Sequence, residues 1–436
     1  MSDIIEFKSD FLSERYKRIN HKSGLTVYVF PKDRITSCAI LATEYGSVDN
    51  CFYSRDDGKY IKVPEGIAHF LEHKMFDNED GTNIDDLFSA LGADPNAYTS
   101  WEETGYFFTC SDNFYESLAL LLRFVTHPYF TPESIDKEQG IIGQEIAMGD
   151  DDPYDRCYMN MVRGLYEKNP VRLEIAGTKR SIARIDAELL YKCHKNFYSP
   201  SNMVLITCGN VDDDKVIKTV DKELSSYADQ ITEPPLRKYP SDKKRVAERY
   251  VEASMQVERP MFCIGFKDSN APTDHKERRR KQIIAELVTG TVFSSSGTLY
   301  SNLFKGGIMT TPFNYGEEYG KTYSFCYAGG ECDDPDLLLR EIKKYISKIK
   351  KNGISAEDFN RRKKMIYSSD IKLYDSTWDI ANALFDNAFW DVDIFSDAKT
   401  VEEIDIEEAN AYIRENFRED RITYSVIIPD EGERIK

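Results

Sequence analysis

The chain alternates between strand-like and helix-like patterns of apolar residues. Ser23 to Asp33, SGLTVYVFPKD, alternates and is rich in Val, Tyr and Phe, which predicts a strand, and ITSCAILATEYGS predicts the next one. GYFFTCSDNFYESLALLLRF places a strand before a helix. TPESIDKEQGIIGQE, Thr131 to Glu145, opens a further helix with Thr followed two residues later by Glu. Asn202 to Asp214, NMVLITCGNVDDD, predicts a strand ending in a turn. Ser225 to Arg245 carries three prolines, many charges and no periodicity. It reads as a linker. The predicted organisation is a first domain over 1–225, a linker over 226–245 and a second domain over 246–436.

The two halves repeat one pattern. TYSFCYAGGECDDPDLLLRE matches the strand and helix of the first half, with Tyr323 against Tyr106 and Leu337 to Arg340 against Leu120 to Arg123. Ser355 to Ser369, SAEDFNRRKKMIYSS, then matches Thr131 to Glu145. The register slips by about two helical turns between these matches, which keeps the same helix face forward. A shared order, spacing and LLLR string point to a duplication. Strands followed by helices, without regular alternation, predict an α+β fold: two duplicated domains, each an antiparallel sheet with helices packed on one face.

Within the first half, GIAHFLEHKMF (Gly66 to Phe76) carries a candidate chemistry. Pro64 and Glu65 suit a first helical turn, and Ile67, Phe70, Leu71 and Met75 recur at core-facing spacing. His69 and His73 are i and i+4, so their rings share one helix face and suit a single zinc ion. Glu72 is adjacent to His73 and not placed as a co-ligand. It is placed to take a proton from a water and return it to a leaving group. HxxEH is the signature of the inverzincins. A catalytic zinc also needs a third protein ligand, for which His21, His127, His194, His275 or a carboxylate are all candidates. Glu138 and Glu145 lie seven apart on one helix face, and their second-half counterparts are Arg362 and Ser369. The second half has no histidine pair, and Ser295 to Gly307 is its nearest equivalent. The pair and both glutamates are therefore absent together from the second copy.

Composition narrows the partners. The net charge of −18 argues against nucleic acid, whose phosphates call for a basic face. No apolar run reaches membrane-spanning length, and MSDIIEFKSD has no basic and apolar leader pattern, which predicts no secretory signal. The nine cysteines are scattered singly, with no CxxC pair. They read as reduced, mostly buried thiols of a cytoplasmic protein.

HFLEH, followed by Glu138 and Glu145 in a duplicated chain, resembles the pitrilysin and mitochondrial processing peptidase family of zinc metallopeptidases. The resemblance extends to GLTVYVFP, to NAYTSWEETGYFF (Asn96 to Phe108) and to NFYSPSNMVLITCGNVD. It implies one zinc per chain, held by His69, His73 and Glu145, with Glu72 as catalytic base and Glu138 as the carboxylate behind a ligand. It implies that Asn96, Ala97 and Tyr98 lie on an edge strand to which an unfolded peptide substrate adds. Family members that work alone carry an arginine and a tyrosine in the second half. Here Leu299 to Gly320 holds no arginine; Tyr315 matches the tyrosine, and Lys305 lacks the bidentate fork and reads as solvent-facing. This departure resembles bacterial two-chain members and implies a homodimer, or a heterodimer with a related chain lacking the zinc motif. Two functions follow: a zinc-dependent endopeptidase, or a non-cleaving peptide-binding or regulatory subunit of a two-chain complex.

Overall fold

The computed structural model describes residues 3–227, 232–268, 270 and 272–430. Residues 228–231 of the predicted linker lie outside them. The described chain forms two compact units.

The first unit gathers Met1–Ile146, Leu173–Tyr239 and Ile371–Phe395. Its seven-stranded sheet runs in the order Asp3–Ser9, Glu14–Asn20, Thr26–Pro31, Met203–Gly209, Ser37–Thr43, Thr104–Cys110 and Ala93–Thr99. Every pairing is antiparallel except Thr26–Pro31 with Met203–Gly209. Ser37–Thr43 and Met203–Gly209 are buried along their whole length, so they read as near-continuous apolar runs. One sheet face packs under Ile67–Lys74, Phe114–Thr126 and their neighbours, around Val27, Leu41, Phe70, Tyr106, Phe108 and Leu121.

The opposite face carries Tyr16, Phe30, Ile40 and Ile206, covered by Ile380, Ala381, Leu384 and Phe385 from the helix Thr377–Ala388. That helix comes from the second half of the sequence. The expectation of helices on one face is therefore incomplete. A near-continuous apolar strand in the middle of a sheet leaves a second apolar face, and one helix distant in sequence covers it.

The second unit gathers Ala147–Arg172, Pro240–Asp370 and Ser396–Lys436. Its five strands run Tyr250–Met255, Ile422–Pro429, Met261–Lys267, Ser324–Glu331 and Asn314–Tyr319, with the first pair parallel. Its main core joins Phe266, Val288, Phe293, Leu338, Ile342 and Ile413. The helix Pro153–Leu165, from the first half, lies against this sheet: Met161 Sδ stands so close to Gly265 that a side chain there would collide with it. Each unit thus takes one helical segment from the other half of the sequence, which the linear boundaries at 225 and 246 do not express.

Part of the predicted linker is docked on the first unit. Tyr53 N–H donates to Leu236 O and Lys238 N–H to Cys51 O, at 2.8 and 2.9 Å, so residues 236–238 run beside the short hairpin of the first unit. Arg237 is half-buried between Glu44 and Asp49 and lies over the Phe197 ring. No helix among the described residues is long and apolar enough to cross a membrane. All nine cysteines are free thiols, eight of them buried.

Candidate metal centre

The motif helix spans Ile67–Lys74, and Ile67, Phe70 and Leu71 are buried. It begins later than Pro64 and Glu65 suggest. Gly66 sits at its N-cap with φ 90°, and a side chain there would meet Ala176 O at 2.5 Å. Only glycine accepts both that backbone and that contact.

His69 and His73 emerge from one face with ring centroids 4.6 Å apart. The long helix Pro132–Asp151 crosses them and presents Glu138 and Glu145. His69 Nε2 lies 3.4 Å from Glu145 Oε1, and His73 Nε2 lies 3.8 Å from Glu145 Oε2. One ligand atom from each of His69, His73 and Glu145 falls within 4.8 Å of the others, and no other such group occurs among the described residues.

The donor set fits a zinc ion. Glu138 Oε1 stands 3.0 Å from His73 Nδ1. Its ionised carboxylate can only accept, so Nδ1 carries the hydrogen and Nε2 keeps a lone pair. That lone pair faces another acceptor, the Glu145 carboxylate, and two acceptors facing each other call for a cation between them. Four-coordinate zinc with N and O donors at about 2.0–2.2 Å sets its donors about 3.4 Å apart, close to the separations seen. His69 has no such support: its Nδ1 is buried without a partner.

The electrostatics of the group are coupled. Burial pushes the Glu72 carboxyl above the ordinary carboxylate range, and a 2.7 Å hydrogen bond from Thr99 Oγ1 and the two imidazoles pull the other way without cancelling it. Burial opposes the charged form of His73. Glu138, Glu72 and Glu145 outweigh it, and the imidazole is raised. Glu138 is lowered although burial, its largest influence, acts upward; His73 and the nearby lysines win. Glu145 is lowered, chiefly by His69.

Beside this group runs the strand Ala93–Thr99, the open edge of the sheet. Asn96 lies within that strand and is exposed. Its Oδ1 accepts from Ala97 N–H at 2.8 Å, so that N–H points away from the neighbouring strand. Tyr98 faces the other side, against Phe107 and Phe385. A cleft of about 510 Å³ separates the strand from the helices, lined by Glu72, His73, Phe76, Asp85, Ser89 and Asp94 to Ala97. Thr99, Asp85, Ser89 and Asp94 were not singled out from sequence. The one available signal was parity: Thr99 is two residues from Ala97 and shares its face.

The remaining histidines take no part. His21 is held by Ser23 and Asp221, His127 by Thr126 and Arg123 O, and His194 is buried against Val125 O. His275 opens a helix of the second unit.

The second unit shows what occupies the corresponding place. Its helix order makes His275–Phe293 the counterpart of the motif helix and Thr298–Lys305 that of Ile84–Leu91, so Ser295 to Gly307 is not the equivalent of the histidine pair. There Arg362, the counterpart of Glu138, bonds Glu286 at 3.1 Å. Its guanidinium also lies over the Tyr315 ring and 3.5 Å from the Tyr315 hydroxyl. Tyr315 thus stands with an arginine, although none lies in its own stretch. Lys305 is exposed at its helix end.

A two-unit α+β chain with this HxxEH helix and crossing glutamate helix defines a class, and comparison with known proteins names it. The family profile for Insulinase (Peptidase family M16) matches residues 52–179, and that for the Peptidase M16 inactive domain matches 184–366. The Bacillus subtilis (strain 168) protein named Uncharacterized zinc protease YmfH is 36% identical over 413 residues, covering 93% of this chain and 95% of its own. A crystal structure described as an M16-like peptidase from Alicyclobacillus acidocaldarius superposes with a TM-score of 0.89 at 29% identity, over 98% of both chains. Pitrilysin shares the fold, with a TM-score of 0.76 at 16% identity, over 98% of this chain and 46% of its own. The chain belongs to the M16 peptidase family.

Proposed function

We propose that this chain is a zinc-dependent endopeptidase acting on unfolded peptides. The observation that carries the proposal is the convergence of His69, His73 and Glu145 on one point while the His73 proton is committed to Glu138. His69, His73 and Glu145 hold one zinc. When bound, zinc polarises the scissile carbonyl and acidifies water. Glu72, raised by burial, accepts a proton from water and passes it to the leaving amine. Thr99 fixes the Glu72 carboxylate by donating to it. Glu138 fixes the tautomer and direction of His73. The peptide adds to the open edge at Asn96, Ala97 and Tyr98, where Asn96 exchanges its bond to Ala97 N–H for the substrate backbone. Tyr315 supplies a substrate contact, and a second copy, or a related chain lacking the zinc motif, completes the enzyme. The buried free thiols support a reducing, cytoplasmic setting.

Glu72→Gln is the test. Cleavage of an unfolded peptide should fall at least about a thousandfold, with one zinc per chain retained by elemental analysis. Undiminished cleavage refutes the role of Glu72; absence of zinc from both proteins, with no affinity for added zinc, refutes the metal. Cleavage by neither the chain alone nor its mixture with a related chain favours the non-cleaving subunit.

A further inference from the structure

The second unit holds a cavity of about 350 Å³ between the helix Pro153–Leu165 and its sheet. Every residue that lines it belongs to that unit, and none belongs to the metal centre. The sheet register explains the space. Gly329 pairs with Cys263 on one side and with Asn314 on the other, so these three share a sheet face. Gly329 has no side chain, and the hollow opens above it. Cys263 is only 5% exposed, and its Sγ stands 3.5 Å from where a Cβ on Gly329 would lie. Its thiol has no hydrogen-bond partner among the described residues. Met261, Cys157 and Cys263 form the inner wall, and none of their side chains carries an oxygen.

The outer wall is aromatic. Tyr158 and Tyr327 meet at a corner, with ring centroids 5.1 Å apart and planes 75° apart. Tyr327 lies across Gly316, where a Cβ would come within 2.8 Å of its hydroxyl and 3.0 Å of its ring. A glycine there leaves the ring in place. The Tyr158 hydroxyl donates to Glu318, and the Tyr154 hydroxyl donates to Glu331 at 2.7 Å. A phenol that donates to a carboxylate keeps more electron density on its ring, which strengthens the negative ring face. Asp155 and Glu318 line the same cavity, and no lysine or arginine among the described residues does.

Three rings, two carboxylates and no basic side chain fit an organic cation. The inner wall narrows the class. An ammonium with N–H groups would turn donors toward thiols and a thioether, which accept weakly. A quaternary ammonium has no such donor and presents only methyl groups. We infer that this cavity binds a quaternary ammonium compound of the choline type, with its methyl groups among Tyr154, Tyr158 and Tyr327 above Gly329 and its hydroxyl toward Asn314. The site does not depend on the peptidase reading.

The test uses the full chain, with choline chloride as probe and neohexanol, in which carbon replaces the nitrogen, as its uncharged twin. Calorimetric titration should show saturable choline binding, with neohexanol weaker by about tenfold, the size of a cation held by several rings. The carbon-labelled methyl signal of Met261, assigned through Met261→Leu, should shift with the same Kd, and that of Met75 in the first unit should stay still. Tyr158→Phe keeps the ring and should hold Kd within about twofold, whereas Tyr158→Leu and Tyr327→Leu should each raise it about tenfold. Asp155→Asn, at an exposed position, should raise Kd by about threefold, and added salt should act in the same direction. Absence of saturable binding, equal affinity for neohexanol, or a Met261 signal that does not move overturns the site. Tighter binding of n-butylammonium than of choline overturns the quaternary class. Should the leucine variants fail to fold, Asp155→Asn and the neohexanol comparison decide: a Kd unmoved by both the lost carboxylate and the lost charge overturns the inference.

Discussion

At the scale of single residues, the group works by setting proton positions. Thr99 opposes the upward push of burial on Glu72. Thr99→Val removes the donor and keeps the shape. The Glu72 carboxyl then rises further, and the acid limb of the kcat/KM profile should move to higher pH; an unmoved limb would show that Thr99 does not hold Glu72. His194 makes a different prediction. Burial drives its imidazole down to about 4, from an ordinary value of about 6.5. Between these values the unfolded chain binds the extra proton, so the contribution is complete above about pH 6.5 and is lost as pH falls toward 4. It amounts to about 3 kcal/mol. Urea unfolding between pH 7 and 4 should show that loss, and His194→Gln should flatten the dependence. The histidine pair, Glu72 and the core positions of the motif were readable because they lie within one helix and share one period. Thr99 was not, because its hydroxyl meets Glu72 only when the fold lays the edge strand beside the motif helix.

At the scale of elements, the edge strand Ala93–Thr99 has one side bonded and one side open. Pro95 lacks an N–H, and the Ala97 N–H turns toward its neighbour's side chain, so the open side is kept from random pairing. Ala97→Pro should therefore leave the ladder to Thr104–Cys110 intact. Its thermal unfolding should stay close to that of the parent, while peptide Kd rises by about tenfold for one lost backbone contact. A large fall in melting temperature would show that this N–H serves the sheet itself. The strands Thr26–Pro31, Ser37–Thr43 and Met203–Gly209 and the two matching strand–helix units followed from period and turn residues. The helix order of the second unit did not, since a long helix and a short one with similar composition compete for the same counterpart.

At the scale of the whole molecule, each core is assembled from distant stretches of chain. The far face of the first sheet is covered by residues 371–395, which no local pattern connects to Phe30 or Ile206. A fragment of residues 1–225 should accordingly expose Phe30, Ile40 and Ile206, bind a hydrophobic dye and aggregate. Supplying residues 226–436 as a second chain should restore a soluble complex. A fragment that unfolds cooperatively as a monomer would show that the cover is dispensable. The repeat was readable because it preserves spacing within each half; the exchange of helices was not, because sequence distance carries no mark of which face a helix covers.

That exchange also sets a schedule on the ribosome. The last metal-facing side chain, Glu145, precedes the end of the covering segment, Phe395, by 395 − 145 = 250 residues. At about 5–20 residues per second, roughly 12–50 s of translation separate the two. Throughout that interval the nascent chain owns His69, His73 and Glu145 but lacks the helix that covers the other face of their sheet. The first unit therefore has its full set of segments only once Phe395 has been made.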